Sequence, residues 1–316
     1  MMRLAAIDVG TNTIRLLIGE SDGSGGYRPI LGDQEITRLG QGLLPEGRLQ
    51  PEPIRRSLAV LERFCRLTEA AGVAAIAAVG TSALREAANR EAFLEPARRL
   101  GLDVRVVSGE EEARLTLLGV RSSVPALPAE VLMLDIGGGS SEFLRARDAE
   151  ILIAISTELG SVALTERYLG SDPPAAGERL ALQTAVSARL ERLRSVELPA
   201  MPRGTTLVGT AGTITTLAAV DLELQQYDPI RVNGHRLSRD RVAGILECLA
   251  ALPLAERRHV AGVEPGRADV IVAGVTVCLR AVEIFGFEEL TVSDGGLREG
   301  VLLDALKLAE KPGQKS

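Results

Sequence analysis

One short pattern occurs twice in this chain and limits its fold more than any other feature. Ile7-Asp8-Val9-Gly10-Thr11-Asn12-Thr13 and Leu134-Asp135-Ile136-Gly137-Gly138-Gly139-Ser140 both read as a buried strand, an aspartate, an apolar residue, a glycine, two small residues and a hydroxyl. A pattern that returns once per domain points to an internal duplication. A length of 316 residues has room for two such domains.

Around these motifs, apolar runs bounded by glycine alternate with longer helical patterns, which predicts an α/β architecture. Leu4 to Asp8 is expected as a first strand, with Ile14 to Glu20 as its hairpin partner. A helix should open near Pro51, show Ile54, Leu58, Leu61 and Cys65 on one face, and stop at Gly72. Val73 to Val79 then forms a strand turning at Gly80, with Thr81 or Ser82 capping the next helix. Val104 to Val107 is a strand that leads into a helix opening with Glu110, Glu111 and Glu112. The stretch Val124 to Ala129, with two prolines, is the candidate boundary. Beyond it, Thr205 to Val208 leads into Gly209-Thr210-Ala211-Gly212-Thr213, read as a loop with a helix starting at Ile214. Leu290 to Ser293 leads into Asp294-Gly295-Gly296 and a last helix, Leu297 to Leu308; the polar tail is expected to fray.

Composition removes several classes of function. The chain has no tryptophan and few other aromatics, so a base-stacking groove for nucleic acid is not expected. A formal net charge of −6 argues against a general polyanion binder. The three cysteines, Cys65, Cys248 and Cys278, are far apart with apolar neighbours and read as buried thiols in a reducing compartment. His235 and His259 are too few for a histidine metal site. The N-terminal apolar run is cut at Asp8, and the longest uncharged stretch, Gly204 to Val220, falls short of a membrane span. The expectation is a cytoplasmic protein with no membrane contact.

Glycine turns after strands expose backbone N–H groups to an anion, and Thr11, Thr13, Ser140, Ser141, Thr210 and Thr213 add hydroxyl donors. Four such loops would cradle consecutive phosphates. Asp135 and Glu142 form a plausible pair for a hard cation such as Mg²⁺, which takes one or two carboxylates with phosphate and water. Either aspartate at a strand end can equally serve as a loop cap. Hydrolysis of a phosphoanhydride also needs a carboxylate base, for which Glu110, Glu111 and Glu112 are the candidates. Arg85 and Arg267 are placed to meet phosphate.

Together these segments resemble the exopolyphosphatase and guanosine pentaphosphate phosphatase family, within the superfold of actin, Hsp70 chaperones and sugar kinases. The resemblance spans nearly the whole chain. It rests on the two aspartate motifs, on Gly80-Thr81-Ser82-Ala83-Leu84-Arg85, on Ser108-Gly109-Glu110-Glu111-Glu112-Ala113-Arg114, on Gly209 to Thr213 and on Ser293-Asp294-Gly295-Gly296-Leu297-Arg298-Glu299-Gly300. It implies two actin-like domains, residues 1–121 with a returning helix 300–316 and residues 122–299, with the active site in the cleft. It assigns the general base to Glu112, with Glu111 as runner-up, and the Mg²⁺ or Mn²⁺ ion to Asp135 and Glu142. Phosphate binding would fall to Thr11, Asn12, Thr13, Arg85, Gly137, Gly138, Gly139, Ser140, Gly209, Thr210, Gly212, Thr213 and Arg267. The implied substrate is inorganic polyphosphate or guanosine pentaphosphate, and the implied assembly a homodimer. Some family members carry a C-terminal helical extension; its absence here puts processive handling of long polymers in doubt. The rival readings are a kinase of the same superfold and a non-catalytic alarmone sensor.

Overall fold

The protein was analysed as a computed structural model that describes residues 2–44, 46–124, 126–198 and 201–310. The tail expected to fray, 311–316, lies outside the described residues. The chain divides into two units, the first running to Ser122 and resuming at Gly296, the second Ser123–Gly295.

In the first unit, β1 (Arg3–Val9) pairs antiparallel with β2 (Thr13–Ser21), and β2 with β3 (Tyr27–Ile36). β4 (Ala75–Gly80) lies parallel to β1, and β5 (Val104–Val106) parallel to β4, giving the order β3-β2-β1-β4-β5. β1 is buried from Leu4 to Val9 because both faces of the sheet are covered. Its side chains alternate: Ala5, Ile7 and Val9 join Leu61, Phe64 and Phe93 on one side, while Leu4 and Ala6 join Val301, Leu302 and Leu306 on the other. The helix Pro51–Ala70 supplies the first cover and starts on proline, where no backbone donor is wasted. The helix Leu297–Glu310 supplies the second, together with Gly109–Ser123. Two glycines set how closely these last helices approach. A Cβ on Gly300 would stand 1.7 Å from the Leu115 carbonyl oxygen, and one on Gly119 1.9 Å from that of Gly296.

The second unit repeats the plan. β6 (Glu130–Ile136), β7 (Ser141–Arg147), β8 (Glu150–Thr157), β9 (Thr206–Thr210), β10 (Arg236–Ser238) and β11 (Glu289–Val292) form one sheet in the order β10-β11-β9-β6-β7-β8. Read from β8, the first five strands of that sheet match β3-β2-β1-β4-β5 of the first unit. β6–β7–β8 is an antiparallel meander, and β9 and β11 are parallel additions. The duplication is present in hydrogen bonds as well: Gly10 N donates to Thr13 O at 3.1 Å, and Gly137 N to Ser140 O at 3.0 Å. The core of this unit is the helix Ile271–Phe285, buried almost throughout, with Val186 and Leu190 of Ala176–Arg192 and Val242 and Leu249 of Arg239–Ala251 around it.

The second unit holds its own two ends together. The Asn233 side-chain amide donates to Ser123 O at 2.6 Å, and its Oδ1 accepts from Asp294 N at 3.0 Å.

Two expectations need correction. The helix expected to start at Ile214 starts at Ala211, directly after β9, and takes in Gly212 and Thr213 from the expected loop. Nor are all the cysteines buried: Cys278 is, Cys65 is half-buried and Cys248 is exposed. In Arg239–Ala251 the inward positions are Val242, Ile245 and Leu249, and Cys248 lies one residue off that stripe. Among the described residues no helix is long and apolar enough to cross a membrane.

Candidate active site

The ends of β1 and β6 are the chemically charged points of the two sheets. In the second unit, register puts Thr210, Asp135, Glu142 and Ser156 in one row across four strands. Residues directly opposite in a sheet share a face, so the Asp135 and Glu142 carboxylates are neighbours. Asp135 is 9% exposed and Glu142 2%. Glu142 Oε1 accepts from Ser140 Oγ at 2.7 Å and from Ser156 Oγ at 2.8 Å. Two adjacent buried carboxylates are costly without a cation, and this all-oxygen pair fits Mg²⁺ or Mn²⁺ with its remaining positions filled by water and phosphate. Among the described residues no group of three or more His, Cys, Asp or Glu forms a metal cage. The first unit does not copy this arrangement. Asp8 stands opposite Arg15, an arginine where the second unit has Glu142.

The loops after these strands present backbone donors. Gly137 O accepts from Ser161 N at 2.9 Å, and Gly138 O from Val162 N at 2.8 Å, so the carbonyls cap the helix Ser161–Tyr168. Gly160 makes room for this: a Cβ there would stand 2.2 Å from the Gly139 carbonyl carbon. Among the described residues the amides of Gly138 and Gly139 have no acceptor, as an anion nest requires. In the matching first loop, Thr11 O and Asn12 O accept from Gly40 N and Arg38 N, both at 2.9 Å. Thr11, Asn12 and Thr13 are buried, and among the described residues the Asn12 Nδ2 donor is without a hydrogen bond.

The third loop is held by its neighbours. Thr210 Oγ donates to Gly295 O at 3.0 Å, and Ser293 N to Gly209 O at 2.8 Å. Ala211 has a φ of 69°, a left-handed backbone that costs an alanine about 1 kcal/mol or more. Arg267 packs across Gly212, where a Cβ would stand 2.0 Å from Nη1. Its Nε donates to Glu264 Oε2 at 2.6 Å.

In the first unit, Glu112 lies in the opening turn of Gly109–Ser123 and is 7% exposed. Arg85 Nη1 donates to Glu112 Oε2 at 2.9 Å and to Val107 O at 3.1 Å. Glu111 is committed elsewhere, to Arg114 at 2.8 Å and Arg105 at 3.4 Å. The Arg114 guanidinium holds the Glu111 carboxyl below its usual value. Glu110 is exposed. Of the three adjacent glutamates, Glu112 is the one that is buried and paired with Arg85.

Residues 18–309 match the profile of the Ppx/GppA phosphatase family. The chain belongs to that family. It is 35% identical to exopolyphosphatase 2 of Mycobacterium tuberculosis over 96% of this chain and 98% of that one. Among solved structures, it is similar to the Ppx/GppA family member of Aquifex aeolicus, with TM-score 0.81, 35% identity and coverage of 98% and 99%. It is also similar to an exopolyphosphatase from Cytophaga hutchinsonii, with TM-score 0.87, 29% identity and coverage of 99% and 100%. Each unit of this Ppx/GppA chain therefore has the actin-like α/β plan.

Two supporting residues of this Ppx/GppA protein escaped the sequence. Ser156, which holds Glu142, lies on β8, a strand whose half-buried residues left no clear alternation to read. Glu264 orients Arg267 from three residues before it, and that spacing was a visible signal.

Proposed function

We propose that this protein is an exopolyphosphatase: it releases the terminal phosphate of inorganic polyphosphate by attack of water. Buried Glu112, one hydrogen bond from Arg85, is the observation that carries this reading. A phosphate reaching Arg85 competes with Glu112 for the guanidinium, so substrate arrival itself frees the carboxylate to accept a proton from water. The proposed phosphate ligands are the loop donors at 11–13 in the first unit and, in the second, Arg267 with the loop donors at 137–140 and 209–213. Asp135 and Glu142 would hold Mg²⁺ or Mn²⁺, which supplies charge neutralisation to the phosphoryl oxygens. The curated relatives named exopolyphosphatase, similar over nearly the whole chain, support polyphosphate as substrate. Guanosine pentaphosphate is the second reading, because it presents the same terminal phosphoanhydride.

Phosphate release should be measured from long-chain polyphosphate, short-chain polyphosphate and guanosine pentaphosphate, with and without Mg²⁺, in the wild type and Glu112→Ala. Release that requires the ion and is lost in the variant, with polyphosphate still bound, is the expected result. No release from any substrate by folded wild-type protein overturns the proposal. Light scattering on the same sample tests the homodimer that the family resemblance implies.

A further inference from the structure

In the second unit, the helix Ala176–Arg192 joins the core late. Its buried residues are Leu182, Val186 and Leu190, so its opening turns overhang the core and Leu180 is 64% exposed. Both this helix and Arg239–Ala251 pack on Ile271–Phe285, and the gap left between them is a pocket of about 220 Å³. Its floor is Val272, Thr276 and Leu279, one stripe of the central helix, and Leu246 stands on a wall. That volume is below the range of drug-sized sites and suits a short ligand.

The charged residues lining the pocket are Arg179, Arg280 and Glu247, a positive balance. Arg179 Nη1 donates to Glu247 Oε2 at 3.2 Å, with side-chain exposures of 38% and 75%. Water weakens a bridge so open and leaves it ready to exchange. Among the described residues Arg179 Nε is buried and makes no hydrogen bond. An unpaired buried donor on a charged group is costly, and a carboxylate that forks onto Nε and a neighbouring Nη nitrogen removes the cost. Arg280 is held already, its Nε by Ser187 Oγ at 2.8 Å and its Nη1 by Glu283, so it adds charge without competing for the fork. Inorganic phosphate would leave Val272, Leu279 and Leu246 uncovered, and an uncharged hydrocarbon would leave Nε unpaired. A carboxylate on a short hydrocarbon chain satisfies both.

The central helix meets the 209–213 loop on its other side. Gly274 lies two residues from both Val272 and Thr276, about 200° round the helix, and a Cβ there would stand 2.5 Å from Thr213 Oγ1. Arg267, packed across Gly212, leads into the same helix, with Val270 N donating to its carbonyl at 3.0 Å. We propose that the pocket is an effector site for small amphipathic carboxylates, in which Arg179 forks the carboxylate and the hydrocarbon covers Val272, Leu279 and Leu246. A ligand seated there leans on the outer face of Ile271–Phe285. The close contact at Gly274 passes the displacement to Thr213, so occupancy weakens the hold of the loop on phosphate. The binding site stands on its own geometry; its effect on turnover rests on the phosphohydrolase reading above.

The test is calorimetric titration of the full chain with octanoate, acetate and 1-octanol, using the wild type, Arg179→Met and Glu247→Gln. The KM for polyphosphate is measured with and without octanoate. The wild type should bind octanoate about tenfold more tightly than acetate or octanol. Arg179→Met keeps an apolar stem and loses the fork, so octanoate should bind it about tenfold more weakly. Glu247→Gln removes the competing carboxylate and should tighten octanoate about threefold. Both variants should hydrolyse polyphosphate within about twofold of the wild type when no octanoate is present. Octanoate should raise the wild-type KM about fivefold and leave that of Arg179→Met unchanged at the same concentration. No octanoate binding by the wild type, equal binding of octanol, or binding unmoved by both variants overturns the site, and binding with an unaltered KM overturns its effector role. Absent phosphate release by the ligand-free wild type would count against the hydrolase reading instead, since the titrations do not depend on turnover.

Discussion

Arg85 donates to Glu112 from one side while its own position is fixed by the Val107 carbonyl, so the proposed base and a proposed phosphate ligand form a single unit. Replacing Glu112 with Gln keeps the shape and removes the proton acceptor. Turnover should fall about 100- to 10,000-fold, with polyphosphate affinity changed little. Single-turnover kinetics beside equilibrium binding measures both. A loss of affinity equal to the loss of rate would mean that Glu112 only positions Arg85.

Ser156 bears on the proposed ion site. Its hydroxyl and that of Ser140 share one oxygen of Glu142, and partners that orient metal ligands are worth about 10- to 100-fold in metal affinity. Ser156→Ala should therefore raise the Mg²⁺ concentration for half-activation by about tenfold, with rate recovered at saturating ion. A Mg²⁺ titration of activity that superimposes on the wild type would remove Ser156 from this role.

Gly212 gives Arg267 its place. A methyl there would stand 2.0 Å from Arg267 Nη1 and must displace the guanidinium. Gly212→Ala should show a KM for polyphosphate raised about tenfold. An unchanged KM would show that Arg267 is not a substrate ligand.

Acid should loosen the first unit through Glu111. Arg114 joins Glu111 to Asp304 of the last helix, at 2.8 and 3.0 Å. The Glu111 carboxyl is held below its ordinary 4.5 by Arg114, so folding is favoured above pH 4.5 and this contribution is lost as pH falls through the lowered value. Glu111→Gln should lower the melting temperature at pH 7 and reduce the loss seen between pH 4.5 and pH 3. Parallel pH curves for the two proteins would contradict this.

The thiols should react in order of exposure. Burial pushes the Cys278 thiol up to about 12, and Cys248 is exposed. A thiol reagent at pH 8 should label Cys248 promptly and Cys278 only after denaturant is added, as peptide mapping would report.

What could be read from the sequence follows from what drives each element. β1 and β6 were legible because strands buried on both faces are continuous apolar runs, and the aspartate-glycine turns repeat in composition as they do in hydrogen bonding. β3 was not legible: Tyr27–Ile36 is half exposed, carries Gly32-Asp33-Gln34-Glu35, and owes its place to pairing with β2. The loop glycines hid the start of the Ala211 helix, whose first residue takes a conformation that alanine rarely adopts. Glu112 and Glu111 are alike in sequence; only packing buries one and hands the other to Arg114.

Asn233 has a consequence for how such a protein can be rearranged. By bonding Ser123 and Asp294 from one side chain, it makes the second unit a loop that is already closed, while Gly119 and Gly296 meet in the first. Each unit thus carries its own seam. New termini cut elsewhere in the second unit, with Ser123 and Gly295 joined by a short linker, would leave its sheet and core unaltered, and the ancestral duplication could have been assembled by inserting one finished module into another without unravelling either.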